Sequence, residues 1–311
     1  MKYVYGPVPS RRLGRSLGVD PIPSKTCNFS CVYCQLGRTN NFINERRDFF
    51  SKEDIFREIK QRINLIGMDK IDYVTFVGNG EPTLCQSLGW LIEKIKEEFQ
   101  VHIALITNGA LLYIKDVREE LHLADVVLPT LDAGFPKTFK KINRPHPSIQ
   151  FNTMIEGMIE FRRGYRGQIW LEYMAVKDFN DSNSELQQIH YHIKKINPDR
   201  IYINVPIRPP AEKWVQIPSE EKLSQIREIL TGAYEIILPE IGDFQILSDD
   251  IKTLKNELIQ TVKRHPMRLE QLLELLEQKK VEKPLEFISK LEKTKLLKRM
   301  LYKKKFKQPF S

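Results

Sequence analysis

The chain has 311 residues, 41% of them apolar, and a formal net charge of +9. With only 4 Cys it is no disulfide framework, and it shows neither a secretory signal nor an apolar run of membrane-spanning length, so a cytoplasmic location is expected. The charge is uneven: from Ile251 to Ser311 there are 17 Lys and Arg against 7 Asp and Glu, so the positive excess lies wholly in the last fifth of the chain. This divides the chain into a main domain, residues 1–245, and a basic module, residues 246–311, suited to a polyanionic or acidic partner.

Residues 17–22 read as a first strand. Directly after it stand Cys27, Cys31 and Cys34, spaced C-x3-C-x2-C. Soft thiolates select iron–sulfur clusters, Zn or Cu(I). A closed structural Zn site usually takes four protein ligands, and the next His is as far away as His102. Three thiolates on a [4Fe–4S] cluster leave one iron open to a small molecule. The remaining Cys85 reads as a small buried apolar side chain.

A helix is expected from Ser51 as N-cap to Ile66, then a short strand over residues 73–77 and a helix over 88–99. Strands follow over residues 102–106, 125–128, 169–176 and 200–205, with a helix over 184–196 between the last two. Six β/α units at this spacing predict an α/β fold with a parallel sheet, open or curled into a partial barrel. The active face of such a sheet lies at the C-terminal strand ends. There fall the cysteine loop, Gly78-Asn79-Gly80-Glu81-Pro82, Thr107-Asn108-Gly109 and Asp132. Glu172 lies within the fifth strand, and Asn204, Pro206 and Arg208 close the sixth. Each of these alone is also what a turn requires; it is their shared rim that points to a site.

The cysteine spacing, with aromatic Tyr33 before the last Cys, resembles the signature of the radical S-adenosylmethionine (SAM) superfamily. Gly78-Asn79-Gly80-Glu81-Pro82 resembles its Gly-Gly-Glu-Pro motif. The resemblance implies a partial (β/α)6 barrel over residues 1–245, a [4Fe–4S] cluster on Cys27, Cys31 and Cys34, and SAM on the open iron. It places Gly80 and Glu81 at the SAM amino group and Tyr33 near the adenine. Asn108, Asp132 and Glu172 fall at further cofactor-contacting positions. It also implies an external one-electron donor such as flavodoxin or ferredoxin.

Residues 6–18 and 34–39 are similar to a radical SAM group related to the tRNA wyosine-base synthases. Those carry a second cluster on additional cysteines, and here only Cys85 is left. The substrate is therefore open. Arg11, Arg12 and Arg15 before the first strand and Arg38 after the cluster loop read either as a grip for phosphate or carboxylate, with Arg208, or as a basic loop with internal ion pairs.

In the tail, helices are expected over residues 254–263, 268–277 and from Pro284, followed by a basic, apolar-interleaved stretch from Leu296. Three helices and a hairpin resemble a winged helix-turn-helix, with Lys290, Lys293, Lys295, Lys303, Lys304, Lys305 and Lys307 available to phosphates. A protein-docking module or a solvated tail fits the same composition. Two functions follow: a radical SAM enzyme acting on RNA or another anionic substrate, or a SAM- and redox-responsive iron–sulfur regulator that binds DNA through its tail.

Overall fold

The computed structural model describes residues 2–236, 244–246, 250–294 and 297. The chain opens with a hairpin, β1 (Val4–Ser10) and β2 (Gly14–Val19), and a small strand pair around the cysteine loop, β3 (Thr26–Cys27) and β4 (Asn41–Phe42). Strands and helices then alternate: α1 (Lys52–Ile66), β5 (Tyr73–Phe76), α2 (Leu88–Glu98), β6 (His102–Thr107), α3 (Lys115–Glu120) and β7 (Val126–Pro129). Next come α4 (Pro136–Ile142), α5 (Phe151–Gly164), β8 (Gln168–Met174), α6 (Asn183–Ile196), β9 (Arg200–Asn204), α7 (Glu220–Ile229) and β10 (Tyr234–Ile236). The tail adds α8 (Ile251–Arg264), α9 (Leu269–Gln278) and α10 (Pro284–Lys293).

One sheet of eight strands runs β1-β2-β5-β6-β7-β8-β9-β10. Its pairings are parallel except β1 against β2. The six expected strands are all present. The sequence reading missed β1 and β10 at the two edges. It assigned no strand ahead of residue 17, where Pro7 and Pro9 stand. Those prolines are tolerated because β1 is an edge strand.

Period-two alternation gives the sheet two faces. Leu17, Val19, Val74, Phe76, Ile103, Leu105, Val127, Leu171 and Ile203 meet the helices, including Ile55, Ile59 and Ile63 of α1, in the main core. Ala104, Val126, Leu128, Trp170 and Tyr202 point the other way and pack around Leu13 of the β1–β2 turn. A turn at one edge reaches side chains of β6, β7, β8 and β9 only if the sheet curls around it. Capping follows the sequence: the Asp54 amide donates to Ser51 Oγ at 3.1 Å to start α1.

The tail does not stand apart from the sheet. Leu254, Leu258, Leu272, Leu275, Leu276, Ile288 and Leu291 of its three helices share a core with Tyr5 and Val8 of β1. Arg62 of α1, 2% exposed, donates to the Gly6 carbonyl at 2.6 and 2.8 Å and to Glu257 of α8 at 2.5 Å. The expected wing, from Leu296 onward, lies outside the described residues apart from Leu297. Among the described residues no helix is long and apolar enough to cross a membrane.

Candidate cofactor site

The cysteine loop is held by backbone bonds on both flanks. Cys27 is in register with Phe42 in the β3–β4 pair. The Ser30 and Val32 amides donate to the carbonyls of Asn143 (3.0 Å) and Ile142 (2.9 Å), and the His146 amide donates to the Asn28 carbonyl at 2.7 Å. The three thiols are half-buried and free. Burial pushes all three up; the Glu81 charge adds to this at Cys27, and the Asp132 charge at Cys31. Thiolates in this setting need an adjacent cation, which is what iron supplies. No three His, Cys, Asp or Glu among the described residues converge on a single ion. A cubane spreads its thiolates over separate iron corners, so the donor set fits a cluster better than Zn.

Two amides aim at the sulfurs. Asn108 Nδ2 lies 3.7 Å from Cys27 Sγ, and Asn143 Nδ2 lies 3.6 Å from Cys31 Sγ. Donors to thiolate sulfur stabilise its negative charge and tune a cluster's potential. Asn108 was expected at the site, but Asn143 was not. Its partner Cys31 is 112 positions away, and nothing local marks it.

The Gly78–Pro82 loop packs against the cysteine loop. A Cβ on Gly80 would strike the Thr26 carbonyl oxygen, and one on Gly78 would strike the Asp20 carboxylate. The Glu81 amide donates to that Thr26 carbonyl at 3.0 Å, which is why the backbones must approach so closely. Glu81 is buried and accepts four hydrogen bonds. Oε1 takes the Thr83 amide (3.1 Å), Thr83 Oγ1 (2.6 Å) and Thr107 Oγ1 (2.5 Å); Oε2 takes the Asn108 amide (2.7 Å). Burial raises its pKa, and these donors work against that shift. A carboxylate has about four lone-pair sites over its two oxygens, two on each, so Oε2 retains acceptor capacity.

Asp132 forms a second buried node. Tyr33 Oη donates to it through a very short hydrogen bond, Asn143 Nδ2 donates at 2.6 Å and the Met174 amide at 2.8 Å. Burial pushes its carboxyl up to about 6. Tyr33, Asp132, Asn143 and Cys31 thus form one connected group.

The arginines divide. Arg12 pairs with Glu172 on the inner face of β8, so two residues expected to meet different ligands neutralise each other. Arg15 pairs with Asp72 at 2.7 Å, at the start of β2 and β5. That is the end of the strands opposite the cysteine loop, which removes Arg15 from the site. Arg38 and Arg144 both pair with Glu212, at 2.9 and 2.5 Å. Arg208 donates to Gln35 Oε1, next to Cys34, at 2.6 Å and lies 3.4 Å from His265 Nε2. Burial and the charges of Arg208, Arg11 and Arg12 push His265 down to about 3. Arg264, the last residue of α8, donates to Asp20 at 3.2 Å, and Asp20 in turn accepts from Asn79 Nδ2 at 2.9 Å. The end of α8 is therefore linked to the Gly78–Pro82 loop through Asp20 and to the cysteine loop through Arg208. Cys85 is buried, 4.0 Å from Asp48 Oδ1, as its sequence reading required.

Residues 22–188, which carry all of these loops, match the Radical SAM superfamily. The chain belongs to that superfamily. Its cofactors are a [4Fe–4S] cluster and SAM. This radical SAM protein is 39% identical over 283 residues to the UPF0026 protein MJ1312 of Methanocaldococcus jannaschii, covering 89% of this chain and 86% of that one. Its fold is like that of TYW1 solved with a lysine-pyruvate adduct, with a TM-score of 0.51, 14% identity, and 70% and 72% of the two chains covered. It is also like Streptococcus suis SuiB bound to S-adenosylmethionine, with a TM-score of 0.53, 16% identity, and 70% and 50% covered. At such identities these two show the fold alone.

Proposed function

We propose that this radical SAM protein is an enzyme that abstracts hydrogen from an anionic substrate, with RNA as the first candidate. The observation that carries the reading is the convergence of three thiols, the Glu81 cage and the Tyr33–Asp132 node on one rim of the sheet. When bound, the cluster and SAM supply an electron to a sulfonium C–S bond and so a 5′-deoxyadenosyl radical able to take hydrogen from an unactivated C–H.

Cys27, Cys31 and Cys34 hold the cluster, and Asn108 and Asn143 steady the charge on two of its sulfurs. Glu81, held by Thr83, Thr107 and the Asn108 amide, would take the SAM amino group together with the Gly80 backbone. Asp132 locks the Tyr33 ring where the adenine would lie. Arg208, bonded to Gln35 beside Cys34 and set against the uncharged His265, is the cation near the cysteine loop suited to carboxylate or phosphate, while Arg12 is neutralised by Glu172. A place among relatives of the wyosine synthases is compatible with the fold, but the single cysteine triad argues against the same two-cluster chemistry. The test is anaerobic reconstitution with deuterated candidate substrates, RNA included. Deuterium in 5′-deoxyadenosine over several turnovers supports the reading; unlabelled product from every candidate counts against it.

A second reading rests on the bonds from α8 to Asp20 and Arg208. Residues 246–311 then form a winged-helix-like nucleic-acid module whose occupancy is felt at the cofactor loops, in a SAM- and redox-responsive regulator. Duplex DNA binding that responds to SAM, without turnover, would favour it. Binding through the lysines would weaken steeply with salt.

A further inference from the structure

One surface beside the cysteine loop is lined by none of the residues of the Glu81 cage or the Tyr33–Asp132 node. A cavity of about 510 Å³ is lined by Ser30, Phe42, Lys140, Arg144, His146 and their neighbours. Ser30 stands between Cys27 and Cys31, and Phe42 is the register partner of Cys27. Phe42 is 39% exposed, and its ring lies 5.3 Å from the His146 ring. From Ala133 to Ile155 the chain has no acidic residue, while Lys137, Lys140, Lys141 and Arg144 are all basic. The three lysines lie exposed on α4. Glu212 is tied to Arg144 and Arg38 and offsets part of that charge. The segment after α4 is bonded directly to the cysteine loop through the amides of Ser30, Val32 and His146.

We infer that this face docks an acidic one-electron carrier protein, of the flavin or iron–sulfur kind, with Phe42 at its centre and the α4 lysines at its rim. The inference rests on the cluster reading above and names the partner that reading needs. An exposed apolar centre with a charged rim suits a small, transient interface of the electron-transfer type. The partner is acidic because the rim is basic, and its contact lies over the backbone that carries two of the cluster's ligands. The step is a single electron: the reduced carrier loses one, the oxidised cluster gains one, and no bond is made or broken.

The test uses the full chain with its cluster reconstituted, reduced flavodoxin as carrier and dithionite as small reductant. The variants are the charge reversal Lys137→Glu/Lys140→Glu/Lys141→Glu and, separately, Phe42→Ser. Reduction by flavodoxin should fall about tenfold or more in the charge reversal, and the wild-type rate should drop with salt, as steered encounters do. Reduction by dithionite and iron content should not change. Carbodiimide should cross-link wild-type α4 lysines to flavodoxin carboxylates whether or not SAM is present. Equal flavodoxin rates in wild type and both variants, with iron content intact, would overturn the inference. So would slowing by both reductants alike, or protection of these lysines by RNA and not by flavodoxin. A protein that takes up no iron would instead overturn the cluster reading, and this surface with it.

Discussion

Each cluster-ligand thiol sits in a setting where it resists ionising alone, and the structure surrounds the three with donors that suit a charged sulfur. Replacing Cys31 by Ala removes one of the three protein ligands to the cluster. It should abolish iron loading in anaerobically reconstituted protein, read by iron analysis and the loss of brown colour; a normal iron content would count against the ligand assignment. Asp20 offers a separate test of how the Gly78–Gly80 loop is built. Burial pushes its carboxyl up to about 6 against the offsetting Arg264 and Asn79. Folded Asp20 keeps its proton where the unfolded chain, with an ordinary value of about 4, has lost it. The native state binds the extra proton between about pH 4 and 6, so this residue weakens the fold as pH rises through that window, with the penalty complete above it. An infrared or NMR titration of labelled Asp20 should show a midpoint well above the ordinary carboxylate range; an ordinary midpoint would mean the loop is more hydrated than it is drawn. At this scale the sequence was legible where contacts are local or motif-bound: the cysteines, Gly80, Glu81 and Asn108. It was not legible for Asn143, nor for the Arg12–Glu172 pair, because their partners are brought near only by the curl of the sheet.

At the scale of elements, the six central strands and the helices α1, α2 and α6 were readable because apolar periodicity is clear there, with a serine N-cap on α1 and α6. The edge strands β1 and β10 were not: prolines blur one, and the other is short. The cost of missing β1 was larger than one strand. It moved the start of β2 from Gly14 to Leu17. It also hid the seat on which the tail helices pack. The joint is centred on Arg62, whose charge is buried against Glu257 and the Gly6 carbonyl. Burial pulls its pKa down and Glu257 holds it up. Glu257→Gln leaves that guanidinium buried without its carboxylate, a change that costs about 3–5 kcal/mol in buried pairs. Hydrogen exchange should then rise across α8–α10 and β1 while β5–β8 stay protected. If Arg62→Met is combined with Glu257→Gln, much of the loss should return, because both charged partners are gone. A double variant as weak as the single one would show that the joint depends on packing other than the pair.

At the scale of the whole molecule, three regions meet at one rim. The curled sheet offers its C-terminal strand ends, the cysteine loop lies across them, and the tail helix α8 closes from the β1 side with Arg264 and His265. The charge asymmetry marks the tail by composition, but composition cannot show that it shares a core with β1. The central claim is a cluster with one iron left for SAM, and the most direct measurement is electron paramagnetic resonance of the anaerobically reconstituted, reduced protein before and after SAM is added. The account predicts a reduced [4Fe–4S] signal that changes shape on addition of SAM, and the loss of that response in Gly80→Ala, where the new Cβ strikes the Thr26 carbonyl. A signal indifferent to SAM, or tetrahedrally bound zinc in place of iron, would contradict it.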